Sequence, residues 1–205
     1  MGWIIALVVL VILVLAVVGY AVAIYNRLVS YRERFRNAFS QIDVQLKRRY
    51  DLIPNLVETV KGYMTHEQET LTAVIEARNV AKTANDRAQT TGADPAAVRD
   101  LAGAENSLLA ALGKMMILRE DYPELKADQQ TSRLMEELVS TENKVAFARQ
   151  HYNDSVMTYN AYRQSIPPVL LAGPMGFTPA VPFEISDAAE RAVVKVDLSG
   201  STATA

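Results

Sequence analysis

The chain has 205 residues, no cysteine and a formal charge of −2 at neutral pH. The missing cysteine excludes disulfides, zinc–cysteine sites and thiol chemistry together, and the length beyond one membrane span suffices for one ordinary domain with a real core. The small net charge conceals a division, seven bases against two acids in residues 26–49 and fourteen bases against twenty-one acids in the rest, which argues against nucleic-acid binding.

From Trp3 to Tyr25 the sequence reads WIIALVVLVILVLAVVGYAVAIY, twenty-three residues without a charge. As a helix this is about 34 Å long at about 1.5 Å per residue, against a hydrocarbon core of about 30 Å. Trp3 at one end and Tyr20 and Tyr25 at the other match the interfacial preference of aromatic rings. A cleaved signal peptide would carry a basic leader, a shorter apolar run and small residues at a cleavage site. Here only the α-amino group precedes the run and Tyr25-Asn26-Arg27 follows it, so residues 1–25 read as a retained transmembrane helix. Arg27, Arg32, Arg34 and Arg36 follow the span and no base precedes it. The positive-inside rule then puts the N-terminus outside and the body in the cytoplasm, with the basic collar against anionic lipid headgroups.

The span runs into an amphipathic helix. Leu28, Tyr31, Phe35, Phe39, Ile42, Leu46 and Ile53 recur at three- and four-residue steps, with a polar gap near Arg49. Arg32, Arg36, Asp43 and Lys47 lie opposite, the last two as an i,i+4 pair. Pro54 disfavours α conformation at Ile53 and removes a backbone donor, so a kink or restart is expected there with Asp51 as cap. A second helix follows from Pro54 to about Arg87. Asp94 and Pro95, as N-cap and first helical residue, open a third that reaches about Glu120. A fourth runs from about Ala127 to Gln164. Long helices with short connections mean antiparallel neighbours. The expected fold is all-α, a transmembrane helix continuing into an up-and-down bundle of about four long helices (26–165). Five of the eight prolines fall between Pro167 and Pro182, so 166–205 reads as an extended Pro/Gly-rich tail. Within it Val193–Leu198 alternates weakly, as an added strand would.

Little in the sequence points to chemistry. His66-Glu67 begins like a zinc-protease motif, but Thr70 stands where the second histidine belongs. Neither His66 nor His151 has a glutamate three residues before it, as a di-metal bundle requires. Gly113-Lys114-Met115 lacks the spacing of a phosphate loop, and no Gly-x-Ser-x-Gly occurs. No catalytic residue, metal or cofactor is expected. What remains is polar: Tyr-Asn occurs at Tyr25-Asn26, Tyr152-Asn153 and Tyr159-Asn160. The last two pairs are seven residues apart and face one way on a helix. The tyrosines are then core residues with asparagines bonding inside the bundle, or the pairs form a polar seam that registers helices or subunits. Gln41, Gln45, Arg48 and Arg49 form either a solvated face or a partner surface.

Several segments are similar to the LemA family: Tyr25-Asn-Arg-Leu-Val29, Ser40-Gln-Ile-Asp-Val-Gln-Leu-Lys-Arg-Arg49, Asp51-Leu-Ile-Pro-Asn-Leu-Val57 (with Pro54 and Asn55) and Thr59–Tyr63. Tyr122–Ala127, Thr141-Glu142, Ala148-Arg149, both later Tyr-Asn pairs, Pro167 and Gly176-Phe177 extend the resemblance. Two departures stand out: Phe39 where tryptophan is usual, which loses an indole donor, and Met64 where a small residue is common. The resemblance implies a bacterial cytoplasmic-membrane protein with one span, a cytoplasmic helical bundle and no catalytic residues. Two roles follow. One is a homo-oligomeric scaffold that organises or shapes the membrane; the other is a monomeric adaptor for another membrane protein. A ligand-sensing bundle fits less well, because such domains lie outside the membrane between two spans.

Overall fold

A computed structural model describes residues 1–184, so the expected strand at Val193–Leu198 lies outside the described residues. The first helix, α1 (Gly2–Lys61), is a single element of sixty residues, about 90 Å long at about 1.5 Å per residue. Then come α2 (Gln68–Thr90), α3 (Pro95–Leu118), a 3₁₀ turn (Arg119–Asp121), α4 (Pro123–Ala127), α5 (Gln129–Gln164) and the short α6 (Pro168–Ala172). No strand occurs among the described residues.

Among the described residues nothing packs on the N-terminal third of α1: residues 1–20 are all exposed, and none of residues 3–20 is charged. Burial begins at Ile24 and Leu28 and continues along Phe35, Phe39, Ile42, Leu46 and Ile53, the stripe expected from the sequence. On that stripe α5 packs antiparallel, Tyr31 meeting Tyr162, Phe35 meeting Tyr159, Phe39 meeting Tyr152 and Arg49 meeting Glu142. α2 packs on another side of α1, also antiparallel, with Ser40 opposite Gln89 and Asp43 opposite Asn85. α3 packs back on α2. Between α3 and α5 an open groove of about 660 Å³ remains, lined by Met116, Met135, Val139 and Asn143 among others.

Pro54 does not start a new helix. It sits inside α1, and the chain turns only at Gly62–Glu67. The ring removes the N–H that would have bonded the carbonyl of Tyr50; that carbonyl instead accepts a 2.9 Å hydrogen bond from Arg78 Nε on α2. The orphaned acceptor is satisfied from outside, and the buried run Ile53, Leu56, Val57 and Val60 holds the helix through the defect. Asp51 is therefore exposed in mid-helix, 3.9 Å from Arg78, and caps nothing. The signals at Asp94 and Asp128 behave as caps: Asp94 accepts from the Ala96 amide at 2.9 Å and Asp128 from the Thr131 amide at 2.7 Å. The latter bond holds the Asp128 carboxyl below its ordinary pKa.

The polar gap at Arg49 is neither a solvated face nor a partner surface. Arg49 is fully buried and ion-paired with the equally buried Glu105 of α3. It also donates 2.6 Å to Glu142 of α5. Tyr50 donates to Glu105 as well. Asp43 is buried too, accepting from Asn85 at 2.6 Å and from Lys47 at 2.9 Å. The physical reason is positional: residues 42, 46, 49 and 53 share one helix face, so Arg49 is carried into the core whatever its charge. A buried cation needs a matching anion, and Glu105 supplies one from the apolar stripe of Leu101, Leu108 and Leu112.

Removing one partner of such a pair leaves an uncompensated buried charge, at a cost of about 3–5 kcal/mol. Arg49→Ala should lower bundle stability by that order, read by near-ultraviolet circular dichroism during denaturation in detergent. Arg49→Met combined with Glu105→Leu should recover most of the loss. A double variant no more stable than Arg49→Ala would show that the pair is not the determinant.

Candidate functional site

After α6 and the turn at 173–176 the chain is extended, and from Phe177 to Phe183 it runs antiparallel along α5. Each polar contact follows from one repeat laid against another. Asn160 donates to the carbonyl of Ala180 at 2.8 Å and accepts from its amide at 3.0 Å. Seven residues earlier, Asn153 does the same to Phe183, at 3.3 and 2.8 Å. The hydroxyl of Tyr159 donates to the carbonyl of Thr178 at 2.7 Å, and that of Tyr152 to Val181 at 2.8 Å. Arg163 Nε closes the ladder on the carbonyl of Phe177 at 2.7 Å.

The geometry explains the spacing. Seven helical residues rise about 10.5 Å, and three extended residues cover about 10 Å. Tyr152-Asn153 and Tyr159-Asn160 therefore read Val181-Pro182-Phe183 and Thr178-Pro179-Ala180 in step. Proline suits the middle of each triplet because it lacks an N–H and confines the residue before it to extended conformations. The carbonyls of those preceding residues, Thr178 and Val181, are the ones the tyrosines take. Each asparagine amide offers one donor and one acceptor to the carbonyl and N–H of one residue, as a residue of a neighbouring strand would.

Both tyrosine rings are buried against α1. Phe35 lies 5.1 Å from Tyr159, and Phe39 lies 5.6 Å from Tyr152 at an interplanar angle of 63°. Phe39, standing where tryptophan is usual in the family pattern, thus meets a ring edge and uses no polar atom. Burial pushes the Tyr152 hydroxyl well above its ordinary pKa. Burial also raises Tyr159, opposed by Arg163, and raises Tyr50, opposed by Arg49. The arrangement grips an extended X-Pro peptide and carries no nucleophile or ionisable group poised for proton transfer.

The other residues singled out in the sequence are scattered. Tyr25 does not join the clamp; its ring meets Phe177 edge-on at 5.6 Å, while Asn26 is exposed beside it. Trp3 and Tyr20 are exposed on the apolar part of α1. In the collar, Arg27 lies over the rings of Tyr31 and Tyr162, Arg32 over Phe177 and Arg34 over Tyr31, all at 5.0–5.7 Å. Arg36 pairs with Glu33 at 3.2 Å. Gln41 lines an open groove between α1 and α5 together with Arg34, His151 and Asp154. Gln45 is half-buried, and Arg48 and Asn55 are exposed. Sequence reasoning missed Arg163, Glu105, Asn85 and Arg78. For the buried members the available signal was a polar residue at a core position: Glu105 between Leu101 and Leu108, Asn85 between Ala81 and Ala88. For Arg163 it was a place one turn past Asn160.

Fold and site together define a class: an all-α bundle whose first helix carries a long apolar extension and whose tail is strapped to its last long helix. The chain belongs to the LemA family, whose model matches residues 38–198, a range that includes both the buried ion pair and the clamp. It is similar to Magnetosome protein MamQ 2 and Magnetosome protein MamQ 1 of Paramagnetospirillum magneticum. Each is 27% identical over 207 residues, covering 92% of this chain and 76% of theirs. It is also similar to Magnetosome protein MamQ of Magnetospirillum gryphiswaldense, 26% identical over 151 residues, 66% of this chain and 56% of that one.

Two outcomes test the clamp. Asn160→Ala removes the partners of both the N–H and the carbonyl of Ala180, at about 1–3 kcal/mol, so hydrogen exchange at the Ala180 amide should accelerate by roughly ten- to a hundredfold while the α2 and α3 amides stay protected. Unchanged protection at Ala180 would mean the tail is held by its apolar side chains alone. Because Tyr152 is raised in the folded state, it contributes stability in full below the unfolded tyrosine pKa of about 10, and this is lost as pH rises above it. Alkaline titration followed by tyrosinate absorbance should show Tyr152 ionising only as the bundle loosens, and Tyr152→Phe should reduce the alkaline loss.

Proposed function

We propose that the protein is a non-enzymatic, membrane-anchored helical scaffold that self-associates and organises or shapes the bilayer. The observation that carries this reading is the continuity of α1. The apolar segment and the bundle's central helix are one element without a break, so an anchored chain would hold its bundle at a fixed attitude. Arg27, Arg32 and Arg34, held on aromatic rings at the junction, suit anionic headgroups on the side where the bundle stands. The excess of bases after the span supports N-terminus out and bundle in the cytoplasm of a bacterium. The curated relatives are named for the magnetosome and not for a reaction, which fits a part without catalysis.

The segment read as an added strand, Val193–Leu198, lies outside the described residues, and from Phe177 to Phe183 the chain lies along its own α5. Self-association rests better on the outer face of α5, where Phe147 is 73% exposed. The alternative, a monomeric adaptor, draws on the groove between α3 and α5, which could receive a helix of another membrane protein.

Particle mass in mild detergent separates the two readings. The intact chain should form multi-copy particles, Phe147→Asp should shift them towards the monomer, and truncation after Glu184 should leave them unchanged. A strict monomer at every concentration, with a different protein recovered by crosslinking in membranes, would replace the scaffold with the adaptor.

A further inference from the structure

We infer that the loop carrying α6 is a second membrane contact, a shallow wedge inserted beside α1 into the leaflet nearest the bundle. This rests on the reading that α1 spans a bilayer. Its first support is composition: from Gln164 to Phe183 twenty consecutive residues carry no charged side chain. The second is exposure. Ile166 is 84% and Leu170 71% exposed, with Val169 and Met175 also open to the surroundings. Pro168 and Ala172, on the opposite side of the same short helix, are buried. Leu171 and Phe177 pack inwards, yet the loop still turns Ile166, Val169, Leu170 and Met175 outwards together, an apolar patch that water does not select.

Position identifies the occupant. Tyr162 meets Tyr31, α5 ends two residues later, and α6 packs on α1. Because α5 and α1 are antiparallel, chain leaving α5 continues towards the N-terminal, apolar end of α1. Phe177, at the return of the loop, touches Tyr25 at 5.6 Å and lies beneath the Arg32 guanidinium at 5.0 Å. Ile24 is buried although residues 1–20 are all exposed. The loop therefore stands at the level where the charge-free part of α1 ends and the basic collar begins. Its exposed apolar side chains are continuous with the lipid-facing surface of α1, and that continuity favours acyl chains over a protein partner.

The depth is limited by the backbone. Irregular chain in hydrocarbon leaves polar groups unsatisfied, whereas elements lying in the interface are buried by about 5–10 Å. Gly173, Pro174 and Gly176 are irregular, so the loop belongs among headgroups and upper acyl segments. It adds volume to one leaflet only.

The chain lacks cysteine, so single cysteines can be placed at Leu170, Met175, Val11 and Phe147 of the full-length protein and labelled with a fluorophore. The probe is a liposome of neutral and anionic phospholipid containing lipids nitroxide-labelled at a shallow or a deep acyl position. The Leu170 and Met175 sites should be quenched several-fold more by shallow than by deep label, Val11 more by deep label, and Phe147 by neither. Quenching at Val11 without quenching at Leu170 and Met175 would overturn the wedge and leave the span standing. No quenching at Val11 would remove the span and the wedge with it. Both loop positions are exposed, so the substitutions leave the packed core untouched.

Discussion

Everything in this molecule hangs on one helix serving two surroundings. A helix satisfies its own backbone whether it passes through hydrocarbon or water, so α1 needs no change of conformation where its apolar third ends and its bundle stripe begins. Side chains alone change, from apolar on every face to apolar on one. The single backbone defect, at Pro54, falls well inside the bundle, where the freed Tyr50 carbonyl is within reach of Arg78. Within residues 3–20, all exposed, the same defect would find no such donor among the described residues.

Around that axis two polar arrangements do different work. The Arg49–Glu105–Glu142 cluster sits where three helices converge, and a buried ion pair contributes little net stability. Its effect is selective, because sliding α3 by one turn along α1 would take the buried Glu105 from Arg49, and sliding α5 would take Glu142. The tyrosine–asparagine ladder is peripheral and repetitive, and it fixes the tail by matching a seven-residue helical step to a three-residue extended one. Tyr152 and Tyr159 belong to both systems, with rings in the core against Phe35 and Phe39 and hydroxyls on the tail.

The all-α class, the four long helices, the start of α3 at Asp94 and the apolar segment were legible because each rests on local periodicity or on a cap. Pro54 was misread for a complementary reason. Its local rule is sound, but it was outweighed by an arginine twenty-four residues away that no window around Pro54 contains. Arg49 was noticed as a gap in a stripe, and only the matching gap at Glu105, on another helix, turns it from a surface residue into a core one. The Tyr-Asn repeat was visible as a seam, and the registered element proved to be the chain's own tail. Its target, Thr-Pro-Ala-Val-Pro-Phe, was legible as a non-helical segment and not as a ligand, since a three-residue repeat answers a seven-residue one only after both are given a rise per residue.

The ladder also bears on the loop it encloses. Residues 165–176 are tethered at both ends, by the end of α5 on one side and by the rungs from Phe177 onwards on the other. A loop so held cannot retreat from α1 when its exposed leucine meets water, nor sink when it meets lipid, because its level is set by rungs anchored in the bundle. On the proposed reading, the wedge, the collar and the span would all be referred to the bundle. A bundle that tilted would carry Leu170 deeper or lift it out, and the bilayer would resist the tilt. The proposed wedge would thus give the membrane attitude a second point, where a span alone supplies one.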